Sequence, residues 1–395
     1  MQLLIRRRIA AASALIALLA GCAARLGPPP PHRAMVVVRF GPGGVERIDA
    51  SGPADPVTRR AVTADDPVRI ASVSKLVTAL GVMRLVEAGV LSLDRDVSDW
   101  LGWQLRNPAF PDVPITLRML LSHTSSLTDG ADYIIPLGET VKARLQDPRA
   151  WDLQHRPGTF FRYTNLNLPV VASVMETATG ERFDQLMARL VFAPLGIDAC
   201  LNWTTCSAQA VARAVVLTDE DGHVRRDDLK GQRPACPVVP AADGSCDLAA
   251  YQLGTNGALF SPQGGVRISA RGLARIGAMF LRGGDGFLSP GSIVTLIGPE
   301  WRFDGVNGDT EKGFNCTFGL SVQRLSTPMT GCKDDPFGDA RPRIGHAGEA
   351  YGLRSGLWLD QTRRHGVAFF ATAIPDNAPA GRSAFTAVEE AILRP

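Results

Sequence analysis

The sequence predicts an α+β fold, in which both ends of the chain build one antiparallel sheet flanked by helices, with a mostly helical lobe inserted between them. Strand-like segments are concentrated near the two ends, whereas the pattern from about residue 91 to 260 is mostly helical with long loops. The chain has 395 residues, which exceeds what one compact core usually serves, so two lobes are expected.

The strands of the predicted sheet come from both ends of the chain. Residues 34–40 are a Val-rich apolar run, the Gly-Pro-Gly-Gly sequence at 41–44 is typical of a turn, and residues 45–50 alternate between apolar and polar. Near the other end, residues 355–360 and 367–373 are apolar strand candidates separated by a polar turn.

The first predicted helix, residues 72–88, is apolar around most of its circumference and should therefore be buried. Gly89 is the expected C-terminal stop of this helix. Further helices are predicted at 118–123, 168–179, 269–281 and 383–393, and the Asp-Gly pair at 221–222 predicts a small hairpin within 215–224.

The N-terminus carries the pattern of a secretory signal peptide. Three arginines at 6–8 precede an apolar run at 9–19, and Leu19-Ala20-Gly21-Cys22 follows at the end of that run. The run is too short to span a bilayer comfortably. The Leu-Ala-Gly-Cys sequence resembles a bacterial lipobox, in which the cysteine becomes the lipidated first residue; the alternative is an ordinary signal peptide with an incidental cysteine.

This interpretation predicts a lipoprotein of the bacterial cell envelope that faces the periplasm, on the outer rather than the inner membrane. The four prolines at 28–31 favour an extended tether. The predicted organisation is a signal peptide at 1–21, a Pro-rich tether at 22–33 and a folded domain at 34–395, with an α/β lobe at 34–90 and 262–395 and a helical lobe at 91–261.

Six cysteines remain if Cys22 is lipidated, and an even number in an exported chain indicates disulfides. Proximity favours three short loops, although six cysteines allow fifteen connectivities and buried free thiols are the alternative. No metal is expected, because neither Cys-x-x-Cys nor His-Glu-x-x-His occurs. The pairs predicted from proximity are Cys200–Cys206, Cys236–Cys246 and Cys316–Cys332.

Charge and composition argue against a nucleic-acid partner. The net charge is +3, and the basic residues are scattered rather than gathered in a stripe of one sign. Membrane contact is expected through the lipid anchor only, and the sequence does not indicate an oligomeric state.

Ser72-Val73-Ser74-Lys75 is the key chemical element. A serine and a lysine three residues apart lie on one face of a helix, and the helix N-terminus favours negative charge developing on the Ser72 oxygen. The same dipole and burial lower the pKa of Lys75, so the lysine can take part in proton transfer. Lysine is scarce in this chain, and this is its only Ser-x-x-Lys; an N-cap serine beside a snorkelling lysine is the structural alternative.

The segment at 69–76 resembles the active-site segment of the serine β-lactamase and D-alanyl-D-alanine carboxypeptidase superfamily. The similarity continues through 85–94 and 115–125 and covers most of residues 35–395. It implies a β-lactamase/transpeptidase-like fold with Ser72 as nucleophile and Lys75 beside it.

Tyr163-Thr164-Asn165 follows a Pro-Gly-Thr turn and resembles the Tyr-x-Asn motif of class C β-lactamases, carboxypeptidases and related esterases. The resemblance implies that Tyr163 is the acid/base partner. A nearby ammonium is expected to stabilise its phenolate. Asn165, with a donor and an acceptor, is expected to position Lys75 or a substrate amide; a core tyrosine with a satisfied hydroxyl is the alternative.

His346-Ala347-Gly348 resembles the third motif of the superfamily, which is Lys-Thr-Gly in most β-lactamases and His-x-Gly in some peptidases and esterases. The resemblance implies that this strand edge lines the substrate slot, that Gly348 permits close approach, and that the N–H groups of Glu349 and Ser72 form an oxyanion hole. A histidine is mostly neutral at pH 7, which weakens the case for antibiotic hydrolysis.

The sequence therefore predicts a two-step acyl transfer on a small-molecule, peptide or ester substrate, without metal or cofactor. Carboxylesterase or D-amino-acid peptidase activity is preferred to true β-lactamase activity. The alternatives are a catalytically silent envelope scaffold or binding protein and, more distantly, a metallohydrolase. Nucleophile-elbow hydrolases are disfavoured because no Gly-x-Ser-x-Gly occurs. Arg354 is expected at the surface or a sheet end, and His123 is expected to pack locally.

Overall fold

The computed structural model describes residues 30–394. The predicted signal peptide, the lipidated Cys22 and most of the tether lie outside the described residues. No helix in the described part of the chain is both long and apolar enough to span a bilayer.

Regular structure in residues 30–394 comprises strands at both ends and mainly short helices between them. The strands are β1 (Met35–Gly41), β2 (Gly44–Ser51), β3 (Val68–Arg69), β4 (Cys200–Leu201), β5 (Leu217–Thr218), β6 (Val224–Arg226), β7 (Val266–Ile268), β8 (Trp301–Arg302), β9 (Thr317–Phe318), β10 (Gln323–Leu325), β11 (Arg343–Ala350), β12 (Leu353–Asp360) and β13 (His365–Ala371). The helices are α1 (Val73–Glu87), α2 (Ser98–Leu101), α3 (Leu117–Leu121), α4 (Val141–Arg144), α5 (Asn167–Thr179), α6 (Phe183–Met187), α7 (Ala208–Ala212), α8 (Ala270–Leu281), α9 (Pro290–Ile297) and α10 (Ala387–Leu393).

The main sheet has eight strands in the order β2-β1-β13-β12-β11-β10-β9-β8, and every neighbouring pair in it is antiparallel. β1 pairs with β13 over the whole strand, from Met35 opposite Ala371 to Phe40 opposite Gly366. The two ends of the chain therefore build one sheet, which confirms the predicted fold class.

Both faces of the sheet are covered. Val36, Val38 and Phe40 point into the main core beneath α1 and α8, whereas Val37 belongs to a second apolar cluster that includes residues of α10. Side chains alternate between the two faces of a strand. The continuous apolar run of β1 therefore contributes side chains to the apolar clusters on both faces of the sheet.

Helix α1 is buried around its circumference, as its sequence predicts. Twelve of its fifteen residues are buried, and it packs against β11 and β12 on one side and against residues 188–192 of the helical region on the other. The helix ends at Glu87; Ala88 is its C-cap, and Gly89 follows with a left-handed φ of 70°.

Two segments differ from the prediction. The last helix begins at Ala387 rather than at residue 383, because Thr386 and Glu389 form a capping box that starts the helix there. Residues 227–265 contain neither helix nor strand, so the region predicted as mostly helical is in part an irregular loop. The proposed boundaries between the lobes stay a prediction.

Three disulfides are present, and they join the pairs predicted from proximity. The Cα–Cα distances are 5.0 Å for Cys200–Cys206, 5.9 Å for Cys236–Cys246 and 6.0 Å for Cys316–Cys332. The second of these bridges closes a loop within the irregular segment 227–265 and therefore restrains a part of the chain that has no ladder of backbone hydrogen bonds.

Candidate active site

Ser72 lies where the chain turns from strand β3 into helix α1. Ala71 has a positive φ of 45°, a conformation that residues other than glycine seldom adopt, and Ser72 is the N-cap of the helix. The Val73 N–H donates to the Ile70 carbonyl at 3.2 Å and closes this turn. Ser72 therefore lies at the positive end of the dipole of a 15-residue helix.

Lys75 is fully buried one turn further along α1. Its Nζ donates to Ser72 Oγ at 3.0 Å, to Asn165 Oδ1 at 2.7 Å and to the Gln263 carbonyl at 3.1 Å. Burial lowers the pKa of Lys75 from 10.5 to about 7, against the nearby carboxylates of Asp129 and Glu311, which raise it. Much of the population therefore carries a neutral amine at neutral pH, beside the Ser72 hydroxyl.

Tyr163 lies on the other side of Ser72. Its ring lies under Lys75 Nζ, 4.8 Å from nitrogen to ring centroid, and stacks on the ring of His123 at 4.5 Å between centroids. Burial raises the pKa of Tyr163 well above its usual value, although hydrogen bonding with Ser72 lowers it and the charges of Glu311 and Asp129 raise it further.

The prediction that Lys75 stabilises a Tyr163 phenolate is therefore wrong for the resting protein. The burial that makes the phenol resist ionisation also strips Lys75 of much of its charge. Of the two groups, Lys75 therefore reaches its neutral, basic form near neutral pH, whereas the Tyr163 phenol keeps its proton there.

Asp129 is a site residue that the sequence analysis missed. Its carboxylate accepts from the Asn165 backbone N–H at 2.9 Å, from Asn165 Nδ2 at 2.8 Å and from the Leu166 N–H at 2.9 Å. These bonds orient the Asn165 side chain so that Oδ1 points to Lys75. An isolated Asp 36 residues earlier carries no local signal of this role.

His123 packs locally, as predicted. It is buried, and its Nδ1 accepts from the Thr164 N–H at 3.1 Å and from Asn167 Nδ2 at 3.2 Å. Burial, with Lys75 and His346 as further causes, lowers the pKa of His123 well below its usual value. The neutral ring supports Tyr163 from below and does not titrate in the physiological range.

The third motif lies on β11 and faces Ser72. His346 is buried, its Nδ1 donates to the Ala347 carbonyl at 2.6 Å, and burial lowers its pKa to about 3. The histidine is therefore neutral at pH 7, and the position offers no fixed cation.

Gly348 permits β11 to approach the Ser72 turn. A Cβ at this position would overlap the Ile70 carbonyl oxygen and the Ser355 hydroxyl, and would lie 3.2 Å from the Ser72 backbone nitrogen. The Ala347 N–H donates to Gln323 Oε1, and alternation along an extended strand turns the Glu349 N–H to the same edge. The Glu349 N–H therefore lies on the strand that comes closest to the Ser72 backbone nitrogen.

Gly348→Ala is expected to lower kcat by about 10²–10³-fold, the usual effect of losing one oxyanion-hole donor. The added methyl group would push β11 away from Ser72, while Gly43→Ala, where a Cβ meets nothing within 4 Å, is the matched control. Initial rates of ester hydrolysis and thermal unfolding of both variants measure the effect. Unchanged turnover in a folded Gly348→Ala protein would contradict the close approach.

Two open cavities meet at Ser72. The larger, of about 870 Å³, is bounded by the irregular segment 227–265 and by Tyr351 beyond β11. The smaller, of about 520 Å³, is lined by Tyr163, His346 and Glu311. Glu311 is a second residue that the sequence analysis missed; burial and the neighbouring Asp309 raise its pKa to about 7.

Arg354 lies at the end of β12, as expected, but it is buried rather than on the surface. Its guanidinium forms an ion pair with Glu349 and lines the smaller cavity. The pair lies at the C-terminal end of β11, where the Glu349 N–H is located.

One group of three potential metal ligands occurs among residues 30–394: Asp219, Asp221 and His223 in the β5–β6 hairpin. These residues line neither cavity at Ser72. The absence of a metal from the chemistry stays a prediction.

Comparison with known proteins places these features in a family. The chain matches the model of the family described as Beta-lactamase over residues 31–391. Esterase EstB of Burkholderia gladioli is 34% identical over 170 residues, which cover 38% of this chain and 42% of that protein. Penicillin-binding protein 4 of Amycolatopsis lactamdurans is 34% identical over 154 residues, which cover 39% of this chain and 40% of that protein. The matched part thus spans less than half the length of these curated relatives.

The fold is also found among solved structures. D-amino acid amidase from Ochrobactrum anthropi SV3, complexed with D-phenylalanine, superimposes with a TM-score of 0.62 at 19% identity, covering 91% of this chain and 92% of that chain. A likeness at this identity shows a shared fold, and it confirms the predicted β-lactamase/transpeptidase-like architecture.

Proposed function

This chain belongs to the beta-lactamase family, and on that premise we propose that it is a serine hydrolase that cleaves esters or amides through an acyl-enzyme on Ser72. One observation carries the proposal: the Ser72 hydroxyl accepts a 3.0 Å hydrogen bond from a buried lysine whose pKa is about 7. A lysine in this state can remove the hydroxyl proton, which an ordinary surface lysine cannot do at neutral pH.

Acylation begins when the neutral Lys75 amine takes the Ser72 proton and Oγ attacks the substrate carbonyl carbon. The oxygen of the tetrahedral intermediate accepts from the N–H groups of Ser72 and Glu349. The bond to the leaving group then breaks, and the Tyr163 phenol protonates the departing oxygen or nitrogen. The Lys75 proton returns to Tyr163 within this hydrogen-bonded group of side chains.

Deacylation runs the same steps with water as the nucleophile. Water loses a proton to the neutral Lys75 amine and attacks the acyl carbon. The bond from that carbon to Ser72 Oγ then breaks, and Oγ takes up a proton from the protonated base. The acid and the regenerated serine are the products, so atoms and charge balance without a metal or cofactor.

We propose an ester or a D-amino-acid amide, rather than a β-lactam, as the preferred substrate. The neutral His346 replaces the lysine cation that the corresponding motif of most β-lactamases would offer to a substrate carboxylate. The name of one relative, an esterase, supports the ester half of this substrate class.

Mass spectrometry of the purified protein tests the proposal. Residues 23–395 are incubated with a fluorescent penicillin and with a short 4-nitrophenyl ester, and adducts are mapped to peptides. An adduct on Ser72 with ester turnover is the expected result. A folded protein that forms no adduct and hydrolyses neither probe would favour the competing proposal, a catalytically silent envelope scaffold or binding protein.

The pH profile provides a prediction about Lys75. Because the neutral amine is the base, kcat/KM is expected to rise with pH between about 6 and 8 and then level off. The two neighbouring histidines are neutral throughout this range, since the pKa of His346 is about 3 and that of His123 is well below its usual value. The rise of kcat/KM with pH therefore reflects the ionisation of Lys75 and of the carboxylates around it.

Glu311→Gln is expected to move that limb to lower pH. The Glu311 carboxylate raises the pKa of Lys75. Removing this carboxylate therefore lowers the pKa of Lys75, and the neutral amine forms at lower pH. Glu220→Gln, on the exposed β5–β6 hairpin, is the matched control. A limb that stays in place in the Glu311→Gln protein, or that moves equally in both, would contradict this assignment.

We further propose that the chain is exported and anchored by a lipid on Cys22 to the bacterial cell envelope, facing the periplasm. The Leu-Ala-Gly-Cys sequence and three disulfides, which persist in oxidising compartments, support this localisation. Labelling of cells with an alkyne fatty acid is expected to mark the wild-type protein and not Cys22→Ser. A double Cys236→Ser, Cys246→Ser variant should keep the label, and labelled Cys22→Ser protein would refute the anchor.

A further inference from the structure

Each of the two cavities at Ser72 can hold one part of the substrate. Tyr163 must protonate the leaving group, and it lines the smaller cavity and not the larger one. If the proposed hydrolase function holds, on which this inference rests, the leaving group occupies the smaller cavity. The acyl group then extends into the larger cavity of about 870 Å³.

Arg69 is the distinctive charged group in the wall of the larger cavity. It is only 8% exposed, three residues before the nucleophile. Its Nε is buried without an acceptor among the described residues, and no side chain or carbonyl in residues 30–394 takes a hydrogen bond from its guanidinium. A buried guanidinium without a partner is costly, so an anionic ligand would relieve it.

Aromatic stacking holds this guanidinium in place. Arg69 lies over the ring of Tyr351, 5.2 Å from the carbon of the guanidinium to the ring centroid, and Arg226 lies 5.0 Å from the same ring. Arg226 also lines the larger cavity. Two cationic side chains therefore lie against one aromatic ring. That ring follows directly after β11, the strand that carries the proposed oxyanion N–H of Glu349.

No carboxylate among residues 30–394 forms a hydrogen bond or an ion pair with Arg69 or Arg226. Asp227, the buried carboxylate of the wall, accepts from Arg267 at 2.9 Å and 3.2 Å and from Trp203 Nε1 at 3.0 Å. Asp228, Glu349 and Asp376 also line the cavity but are exposed to solvent, and Glu349 forms an ion pair with Arg354. Burial and the charge of Arg267 lower the pKa of Arg69 to about 10, so Arg69 is still a cation at neutral pH.

We propose that the acyl group of the substrate ends in an anionic group, a carboxylate in the simplest case, which Arg69 and Arg226 bind in the larger cavity. The substrates are then monoesters or monoamides of dicarboxylic acids or of comparable acidic acyl groups. The bidentate fork of an arginine suits a carboxylate, and the ring of Tyr351 lies against the guanidinium groups of both Arg69 and Arg226.

A matched pair of esters tests this specificity. One is the 4-nitrophenyl monoester of adipic acid, whose acyl chain ends in a carboxylate, and the other is the same ester with that carboxylate methylated. The wild-type kcat/KM is expected to be about 10- to 100-fold higher for the charged ester, the range of one or two charge-assisted hydrogen bonds. Raising the salt concentration should reduce the preference.

Two variants locate the effect, and a third controls for surface charge. Arg69→Met and Arg226→Gln should each reduce the ratio of the two kcat/KM values, and Arg226 is exposed, so its replacement does not endanger folding. Arg225→Gln removes an exposed neighbour that does not line the cavity and should keep the ratio. A ratio that falls equally in Arg225→Gln would overturn the proposed site.

The outcomes separate this inference from the proposed function. Ser72-dependent turnover with no preference for the charged ester would overturn the anion site and leave the hydrolase intact. If neither ester reacts, the proposed function fails, and calorimetry of the Ser72→Ala protein with adipate and with neutral adipamide decides the inference. Tighter binding of adipate is expected, and equal binding would overturn it.

Discussion

The Ser72→Ala protein is expected to lose ester turnover almost completely, with a fall in kcat on the order of 10⁶-fold, as in other serine hydrolases that lose the nucleophile. Lys75 and Tyr163 would keep their places, because neither depends on the Ser72 hydroxyl alone: Lys75 Nζ still donates to Asn165 Oδ1 and the Gln263 carbonyl. The measurement is kcat on a short 4-nitrophenyl ester, together with loss of the covalent adduct.

Ser74→Ala is the matched control for this variant. Ser74 is buried in the same helix, but its Oγ accepts from the Val266 N–H at 3.1 Å and does not line either cavity. This replacement should cost about 1–3 kcal/mol of stability through the unsatisfied N–H and leave the chemistry intact. Turnover that survives Ser72→Ala but not Ser74→Ala would place the nucleophile elsewhere.

Replacing Lys75 by methionine is expected to lower kcat by about 10²–10⁴-fold, the usual effect of a general base. Methionine keeps the length of the side chain and removes the buried amine, but it leaves Asn165 Oδ1 and the Gln263 carbonyl without this donor. Because these two effects oppose each other, the melting temperature should change little while activity falls, as expected where a function requires a group that the fold would otherwise exclude.

Lys142→Met, on the exposed face of α4, is the control for loss of a lysine. It should change neither kcat nor the ascending limb of the pH profile. If Lys75→Met kept both the activity and that limb, another group would be the base. Calorimetric melting of both variants completes the comparison, because it separates lost chemistry from lost structure.

The sequence predicted the sheet and the nucleophile helix because both rest on local patterns. The apolar run of β1 requires burial on both faces of the strand, and the apolar surface of α1 requires burial around its circumference. An antiparallel sheet joined to a helical region provides both kinds of burial. The segments at 72–75, 163–165 and 346–348 each carry a short motif, and the structure brings all three to one slot. Their catalytic roles stay a proposal.

What the sequence did not predict depends on long-range packing. Asp129 and Glu311 reach the slot from loops that carry no motif, and nothing near Arg69 in the sequence shows that its guanidinium lacks a partner. The error about Tyr163 has the same origin: a local pattern shows which groups are neighbours, but the depth of burial decides their charge. The start of α10 was missed because the capping box at Thr386 is a sharper boundary than the apolar periodicity before it.

The pairing of β1 with β13 has a consequence for how the molecule forms. Residues 35–41 find their partner more than 300 positions later, so the sheet cannot be completed until almost the whole polypeptide is available. Contacts of such large sequence separation slow folding, and an unpaired β1 would expose an apolar edge in the meantime. The slot between Ser72 and β11 is likewise completed late, because β11 lies about 270 residues after Ser72, so a nascent or truncated chain would carry Ser72 without the strand that faces it. On the proposed mechanism, the reactivity of Ser72 towards acyl donors would therefore appear only at the end of folding.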